Sequence, residues 1–230
     1  SVSRGLGDVY KRQTQYRVAD NPEGPWRKLD NYVVDGSGFY AGKLVLKNDR
    51  LFVFGWIPTK AGNRDSGNID WAGNLVAHEL TADAQGQLNS ILPQELQKVI
   101  SENPGPETTL TSTKTLKTDT SFGPLQSALY PALPERGELS ATIDVPSAGM
   151  VMSFGLTDDR VSDAMLNVVF NKSKGKVYFF NAPLASIHQA NAESWVDIPI
   201  GEKIELRVLI QNSIAVFYIN NKVAFSTRMY

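Results

Sequence analysis

The chain has 230 residues, of which 42% are hydrophobic, and its formal net charge is −1. Its 23 basic and 24 acidic residues are spread without a run of either sign, which argues against nucleic acid as a partner. The absence of cysteine excludes disulfides and thiolate metal sites, and no apolar run approaches the roughly 20 residues that a membrane helix needs. We therefore expect a globular protein with one large core or two small ones, without a membrane partner.

The N-terminal segment, residues 1–13, has an unusual sequence. Ser1 to Gln13 resembles a translated sequencing-adaptor read-through, so we expect it not to belong to the native fold. The alternative is a genuine polar turn or the entry to a strand. The fold prediction therefore starts at Thr14.

Residues 14–90 alternate short apolar runs with turn residues such as Gly, Asn, Asp and Pro, which is typical of antiparallel β-structure. The clearest hairpin joins Leu44–Leu46 to Leu51–Trp56 through the turn at residues 47–50, because both arms are rich in β-branched, aliphatic and aromatic residues. A further strand is predicted at Leu75–Leu80.

A short helix is predicted over Pro93–Glu102, within a linker at residues 91–106. Leu96, Val99 and Ile100 have helical spacing behind a proline suited to a first turn. Residues 107–120, rich in Thr and Lys, predict an exposed connection or an edge strand.

The rest of the chain alternates strongly between apolar and polar residues. It predicts strands at residues 139–145, 150–154, 166–170, 177–180, 204–210 and 215–219. Short strands at this spacing, with almost no helix, indicate an all-β protein whose residues 107–230 form a β-sandwich.

Two groups of motifs resemble glycoside hydrolase family 32 and its relatives. The first group lies in the N-terminal half and comprises Gly24-Pro25-Trp26, Phe39-Tyr40-Ala41, Gly55-Trp56, Trp71 to Leu75, and Ala77-His78-Glu79-Leu80. The second group closes the chain and comprises the hairpin Gln211 to Asn220 and the run Thr227-Arg228-Met229-Tyr230.

This resemblance implies a five-bladed β-propeller that carries the active site, followed by a C-terminal β-sandwich. Residues 14–90 would form the last blade or two, and the whole protein would be a secreted or periplasmic enzyme cleaving β-fructosides such as sucrose, levan or inulin. Gly38 stands where the family commonly has Asp, His78 stands where Arg is usual, and Gln211 and Val216 replace acidic residues. These departures indicate a divergent branch, so fructose specificity is not carried over.

The resemblance also implies that the catalytic residues are missing from this chain. Retaining glycosidases need two carboxyl groups about 5 Å apart. The family's phrases for them, N-D-P-N-G, R-D-P and E-C, have no counterpart in the 230 residues. We therefore expect no catalytic residue here, no turnover by this chain alone, and no cofactor.

The substrate-binding candidates are Tyr40, Trp56, Trp71 and Asp35, with a saccharide as the expected partner. Tyr40 and Trp56 match positions where the family places aromatic side chains around the sugar, and aromatic faces suit the C–H patches of sugar rings. Trp71 follows a loop rich in Gly and Asn, and loops carry specificity. The alternative interpretations are aromatic residues of the core and, for Asp35, a turn residue.

Two rival functions remain open from the sequence. One is a non-catalytic carbohydrate-binding sandwich that uses Tyr178, Phe179, Phe180, Trp195 and Tyr218. Alternation opposes it, because Phe179 points away from its two neighbours. The other is a structural β-domain that binds a protein partner.

The remaining polar candidates are interpreted as structural. His78 and His188 show no metal or triad spacing. The cluster Asp158-Asp159 with Asp163 lacks the ligand pattern of a calcium loop and is interpreted as a solvated turn, so no metal is expected.

Overall fold

The computed structural model describes residues 13–107, 114–120, 123–129, 135–145, 150–154, 166–181, 194–197 and 203–230. Residues 1–12, the acidic cluster at residues 158–163 and His188 lie outside this set, so the predictions made for them stay predictions. Within the described residues the chain forms strands and one α-helix. Their bounds are β1 Tyr40–Lys47, β2 Arg50–Lys60, β3 Ile69–Ala82, β4 Leu88–Ile91, α1 Gln94–Glu102, β5 Lys114–Thr120, β6 Gly123–Leu129, β7 Arg136–Ile143, β8 Met150–Phe154, β9 Leu166–Asn171, β10 Lys176–Asn181, β11 Ser194–Asp197, β12 Ile204–Gln211, β13 Ile214–Ile219 and β14 Val223–Arg228.

The first sheet is an antiparallel meander in the order β1-β2-β3-β4, here called the blade. Its first hairpin is the predicted one, closed by a two-residue turn in which Asn48 and Asp49 have φ of 52° and 58°. Positive φ at both central residues matches the twist of the flanking strands, which explains the Asn-Asp pair there. The strand predicted at Leu75 starts earlier, at Ile69, because its pairing with β2 continues past an irregularity.

The predicted helix is also present, as α1. It begins after Pro93 and has no buried residue; Leu96 and Val99 are 44% and 55% exposed. Ile100 makes the contact with the core. The helix therefore connects the blade to the following strands and contributes little to the core.

The predicted β-sandwich consists of two four-stranded antiparallel sheets, in the orders β14-β13-β12-β7 and β11-β10-β9-β8. Their facing sides form one core, in which the rings of Phe179 and Phe225 stack with centroids 4.4 Å apart. Strand β5, which lies in the stretch predicted as a connection or edge strand, pairs antiparallel with β6 in a separate two-stranded sheet.

The blade packs on the outer face of the sheet β14-β13-β12-β7, so that this sheet is the middle layer of three. Phe39, Val53 and Ile57 of the blade share a cluster with Val216 and Tyr218 of the middle sheet. All six residues of β13 and all six of β14 are consequently buried. The sequence predicts β13 because it is a continuous apolar run, whereas β14 ends in Ser226, Thr227 and Arg228 and so shows neither alternation nor an apolar run.

A charged triad joins the blade to α1. Arg50 bonds both carboxylate oxygens of buried Glu79, and its Nη1 lies 2.7 Å from Oε1 of Glu95 on the helix. The hydrogen bonds from Arg50 lower the pKa of both carboxyl groups below their ordinary value. The same bonds raise the pKa of the Arg50 guanidinium, so the triad is charged at neutral pH.

We expect this triad to make folding stability depend on pH in the acid range. Because the folded-state pKa of Glu79 is lowered, its contribution is fully present above the unfolded pKa of about 4.3 and is lost as pH falls through the folded value. Urea unfolding at pH 7 should therefore give a lower free energy of unfolding for Glu79→Gln than for the wild type. This difference in free energy should disappear as pH falls below about 4. The exposed Glu23→Gln variant is the control, and a constant gap at every pH would contradict the assignment.

Candidate functional site

The two faces of β2 point to different surroundings. Val53 and Ile57 face the middle sheet and are 0% and 1% exposed, whereas Trp56 lies on the opposite face and is half-buried. Strand register places Tyr40 on one side of Trp56 and Leu75 on the other. Leu75 is 72% exposed, so this face of the blade is open to solvent in the described part of the chain.

Three of the four predicted binding residues lie together on this open face and form what we call the aromatic row. The ring centroids of Tyr40 and Trp56 are 5.6 Å apart, and those of Trp56 and Trp71 are 6.4 Å apart with an interplanar angle of 27°. Trp71 is 77% exposed. The row therefore offers aromatic surface to a ligand, at the sheet surface rather than in an enclosed cavity.

Two irregularities in strand pairing orient the ends of the row. The β1–β2 register shifts after Tyr40, where Ala41 has φ of 55°, and the β2–β3 register shifts near Trp71, where Ala72 has φ of 67°. Positive φ is unfavourable for alanine, so the surrounding pairing must impose it. Bulges of this kind re-aim side chains and are common beside binding sites.

Hydrogen bonds fix the backbone around Trp71. Thr59 Oγ1 donates to the Trp71 carbonyl at 2.7 Å, and the Trp71 amide donates to its neighbour Asp70 at 2.8 Å. In the preceding loop, Asp65 accepts a hydrogen bond from buried Lys60 at 3.2 Å. Of the charged side chains that precede Trp71 in sequence, Arg64 and Asp70 are exposed, whereas Asp65 accepts hydrogen bonds from within the protein.

Asp35, the fourth predicted binding residue, lies elsewhere. Its side chain is 0% exposed, and its carboxylate accepts hydrogen bonds from the Gly36 amide at 2.5 Å, the Ser226 amide at 2.6 Å and His78 Nε2 at 2.7 Å. A carboxylate without exposed surface cannot bond a sugar hydroxyl at the aromatic row. The placement of Asp35 in the site is therefore corrected: it ties the blade to the middle sheet.

A buried chain of hydrogen bonds runs from Asp35 through His78 to Tyr218. Burial raises the pKa of the Tyr218 phenol far above its ordinary value, so its hydroxyl stays protonated, and its oxygen lies 3.0 Å from His78 Nδ1. The other ring nitrogen, Nε2, then carries the proton that is donated to Asp35. Both ring nitrogens of an imidazole that is 0% exposed therefore have a hydrogen-bond partner, in agreement with a structural His78.

Ser226 lies next to His78 and Asp35, but the three residues do not form a nucleophilic triad. Its Oγ lies 3.5 Å from His78 Nε2, the same nitrogen that donates to Asp35. In a triad the serine and the carboxylate occupy different ring nitrogens. All three side chains are also 0% exposed, which closes the group to substrate.

The close approach of the blade to β14 explains one departure from the family motif. A Cβ atom placed on Gly38 would lie 2.7 Å from the Ser226 carbonyl oxygen, closer than real Cβ contacts allow. A side chain such as Asp at this position would need the backbone of β14 to move. The glycine before Phe39 is thus required by the packing of this chain.

The rival set of sandwich aromatics is divided between different surroundings. Phe179 is 0% exposed in the sandwich core and Tyr218 is 2% exposed under the blade. Tyr178 and Phe180 are half-buried, with ring centroids 6.3 Å apart, and register places Trp195 opposite Tyr178. The predicted alternation along β10 is confirmed.

The described residues contain neither a cluster of metal ligands nor a membrane-spanning helix. No three His, Cys, Asp or Glu side chains of that set lie close enough together to hold a metal ion. In the same part of the chain, no helix has the length and apolar character needed to cross a membrane.

No protein-family model and no curated protein sequence match the chain. Among solved structures, sucrose-6-phosphate hydrolase from Lactobacillus gasseri matches with a TM-score of 0.55 and 14% identity, over 86% of this chain and 38% of that one. Fructan 1-exohydrolase IIa from Cichorium intybus matches with a TM-score of 0.50 and 17% identity, over 86% and 43%. A structure of the same chicory enzyme in complex with 1-kestose has a TM-score of 0.49 at 17% identity, again over 86% and 43%.

The chain thus spans well under half the length of these enzymes. At such identities the similarity is one of fold, and it confirms the all-β architecture that the family 32 motifs predict.

Proposed function

We propose that this chain is part of a glycoside hydrolase acting on β-fructosides such as sucrose, levan or inulin, or on related glycans, and that it supplies an aromatic surface for the sugar. The observation that carries the proposal is the aromatic row of Tyr40, Trp56 and Trp71, with ring centroids 5.6 Å and 6.4 Å apart. All three residues lie in motifs that resemble family 32, and the fold similarity to two enzymes that cleave such sugars supports the same class.

The chemistry of the row suits a saccharide. Trp56 and Trp71 form a stacked pair inclined by 27°, and Trp71, which is 77% exposed, leaves indole surface for the C–H patch of a sugar ring. The exposed side chains of Arg64 and Asp70 could bond hydroxyl groups at the edge of such a ligand. A surface of this kind binds but does not hydrolyse, because the carboxylate pair of a glycosidase is required for bond cleavage.

The whole protein is proposed to be secreted or periplasmic, as the family resemblance implies. The present chain should bind glycan without releasing reducing sugar from sucrose, inulin or levan. Hydrolysis by the purified chain would contradict the expected absence of the catalytic carboxylates.

Binding is tested with Trp71→Ala by affinity electrophoresis through inulin, levan and xylan. Removing a 77% exposed indole should weaken retention on the preferred glycan by about 10-fold or more, the range expected for an aromatic residue that dominates a contact. Trp26→Ala is the matched control, because Trp26 is also exposed, at 44%, but lies outside the row. No retardation of the wild type on any glycan, or equal losses in the two variants, would count against the proposal.

A carbohydrate-binding sandwich is the second candidate, favoured by the half-buried pair Tyr178 and Phe180 on the outer face of β10. The same electrophoresis separates it from the first. If Tyr178→Ala abolishes retention and Trp71→Ala does not, the sandwich face is the binding surface and the aromatic row is not.

A further inference from the structure

Arg228, the last residue of β14, connects the sandwich to the blade. Its side chain is buried and makes four hydrogen bonds. Nε donates to the Pro58 carbonyl at 2.8 Å, and Nη1 donates to Ser213 Oγ at 2.7 Å. Nη2 donates to the Ile57 carbonyl at 2.9 Å and to Asn74 Oδ1 at 2.7 Å. Three of the four bonds therefore cross from the middle sheet to the blade.

The acceptors of Arg228 on the blade lie next to the shift in β2–β3 register beside Trp71. Ile57 and Asn74 are register partners on β2 and β3, so a single guanidinium nitrogen ties the two strands at this pair. The register shifts between Pro58 and Lys60, within the stretch opposite Trp71. Arg228 thus fixes the last regular positions before the bulge.

The residues after Arg228 hold the loop that leads into Trp71. The Tyr230 amide donates to Asp65 Oδ1 at 3.2 Å, and the same oxygen accepts from Lys60 Nζ at 3.2 Å. The loop is therefore bonded both to the blade and to the C-terminal residues of the sandwich.

We propose that Arg228 is a positioning residue that sets the distance and angle between Trp56 and Trp71 in the aromatic row. The sandwich, through β14, then determines the geometry of the sugar-contacting surface in addition to stabilising the blade. The predicted effect of Arg228 on sugar affinity rests on the proposed function. Its effect on the arrangement of Trp56 and Trp71 can be measured without any ligand. Lysine cannot replace Arg228, since one ammonium group cannot reach acceptors that the planar guanidinium bonds from three nitrogens.

The ligand-independent test is fluorine NMR of the full chain labelled with 5-fluorotryptophan. The chain has four tryptophans, and each gives its own resonance. In Arg228→Lys, the Trp71 and Trp56 resonances should shift while that of Trp26 stays in place. Asn74→Ala removes only one acceptor, from an exposed residue, and should shift Trp71 even if the arginine variant fails to fold. Asn74→Asp keeps an acceptor for Arg228 and should restore the wild-type position. Unchanged Trp56 and Trp71 resonances in Asn74→Ala would overturn the inference.

A second experiment measures the dissociation constant of each variant for the fructan that the wild type prefers. Asn74→Ala should raise it about 10-fold, and Asn74→Asp should leave it within about 2-fold. If the wild type binds no glycan while Trp71 still responds to Asn74→Ala, the proposed function fails and the positioning role stands. If the wild type binds and Asn74→Ala changes neither resonance nor affinity, the positioning role fails and the proposed function stands.

Discussion

Replacing Asp35 with alanine should lower the free energy of unfolding by about 3 kcal/mol or more, because three buried donors would lose their acceptor at roughly 1–3 kcal/mol each. These donors are the amides of Gly36 and Ser226 and the Nε2–H of His78, at 2.5 to 2.7 Å from the carboxylate. With a slope of roughly 3 kcal/mol per molar urea, the unfolding midpoint should fall by about 1 M or more.

Two further variants define what the Asp35 result means. Asp35→Asn keeps an oxygen for the two amides, and His78 can present its other tautomer to the new amide group, so a smaller loss is expected. Asp30→Ala removes an exposed carboxylate nearby and should change stability by less than about 0.5 kcal/mol. A midpoint for Asp35→Ala equal to that of Asp30→Ala would show that the buried chain of hydrogen bonds does not hold the blade to the sandwich.

The second large effect is expected at Phe179, in the core of the sandwich. Its ring is 0% exposed, stacks on Phe225 at 4.4 Å and meets Phe217 edge-on at 6.2 Å. Phe179→Ala would leave a cavity between the two sheets and should cost about 3–5 kcal/mol, measured by urea unfolding.

Phe180→Ala is the matched control for Phe179, since the same change is made one residue later on the opposite face of β10. Phe180 is only half-buried, so its loss should be about 1 kcal/mol. Similar losses at both positions would contradict the inward orientation of Phe179. Such a result would also support the rival interpretation, in which Tyr178, Phe179 and Phe180 share one solvent-exposed face.

The sequence predicts the aromatic residues of the candidate surface, but its prediction for the acidic residue Asp35 is wrong. Tyr40, Trp56 and Trp71 were selected from motifs and loop composition, and their rings lie in one row. Asp35 was selected by its nearness in sequence to Tyr40. It points to the other side of the blade, where it meets Ser226, a residue 191 positions away along the chain.

The sequence by itself determined the strands that have one buried face, the hairpin at residues 44–56 and the short helix, because each produces a periodic pattern or a turn signal within a few residues. Only the tertiary structure decided that β14 is a strand buried on both faces. It also decided that His78 is shared by Asp35 and Tyr218, and that Arg228 reaches the strand pair beside Trp71. These contacts join residues 43 to 171 positions apart. Their partners are chosen by how the blade packs on the middle sheet, and that choice leaves no local pattern in the chain.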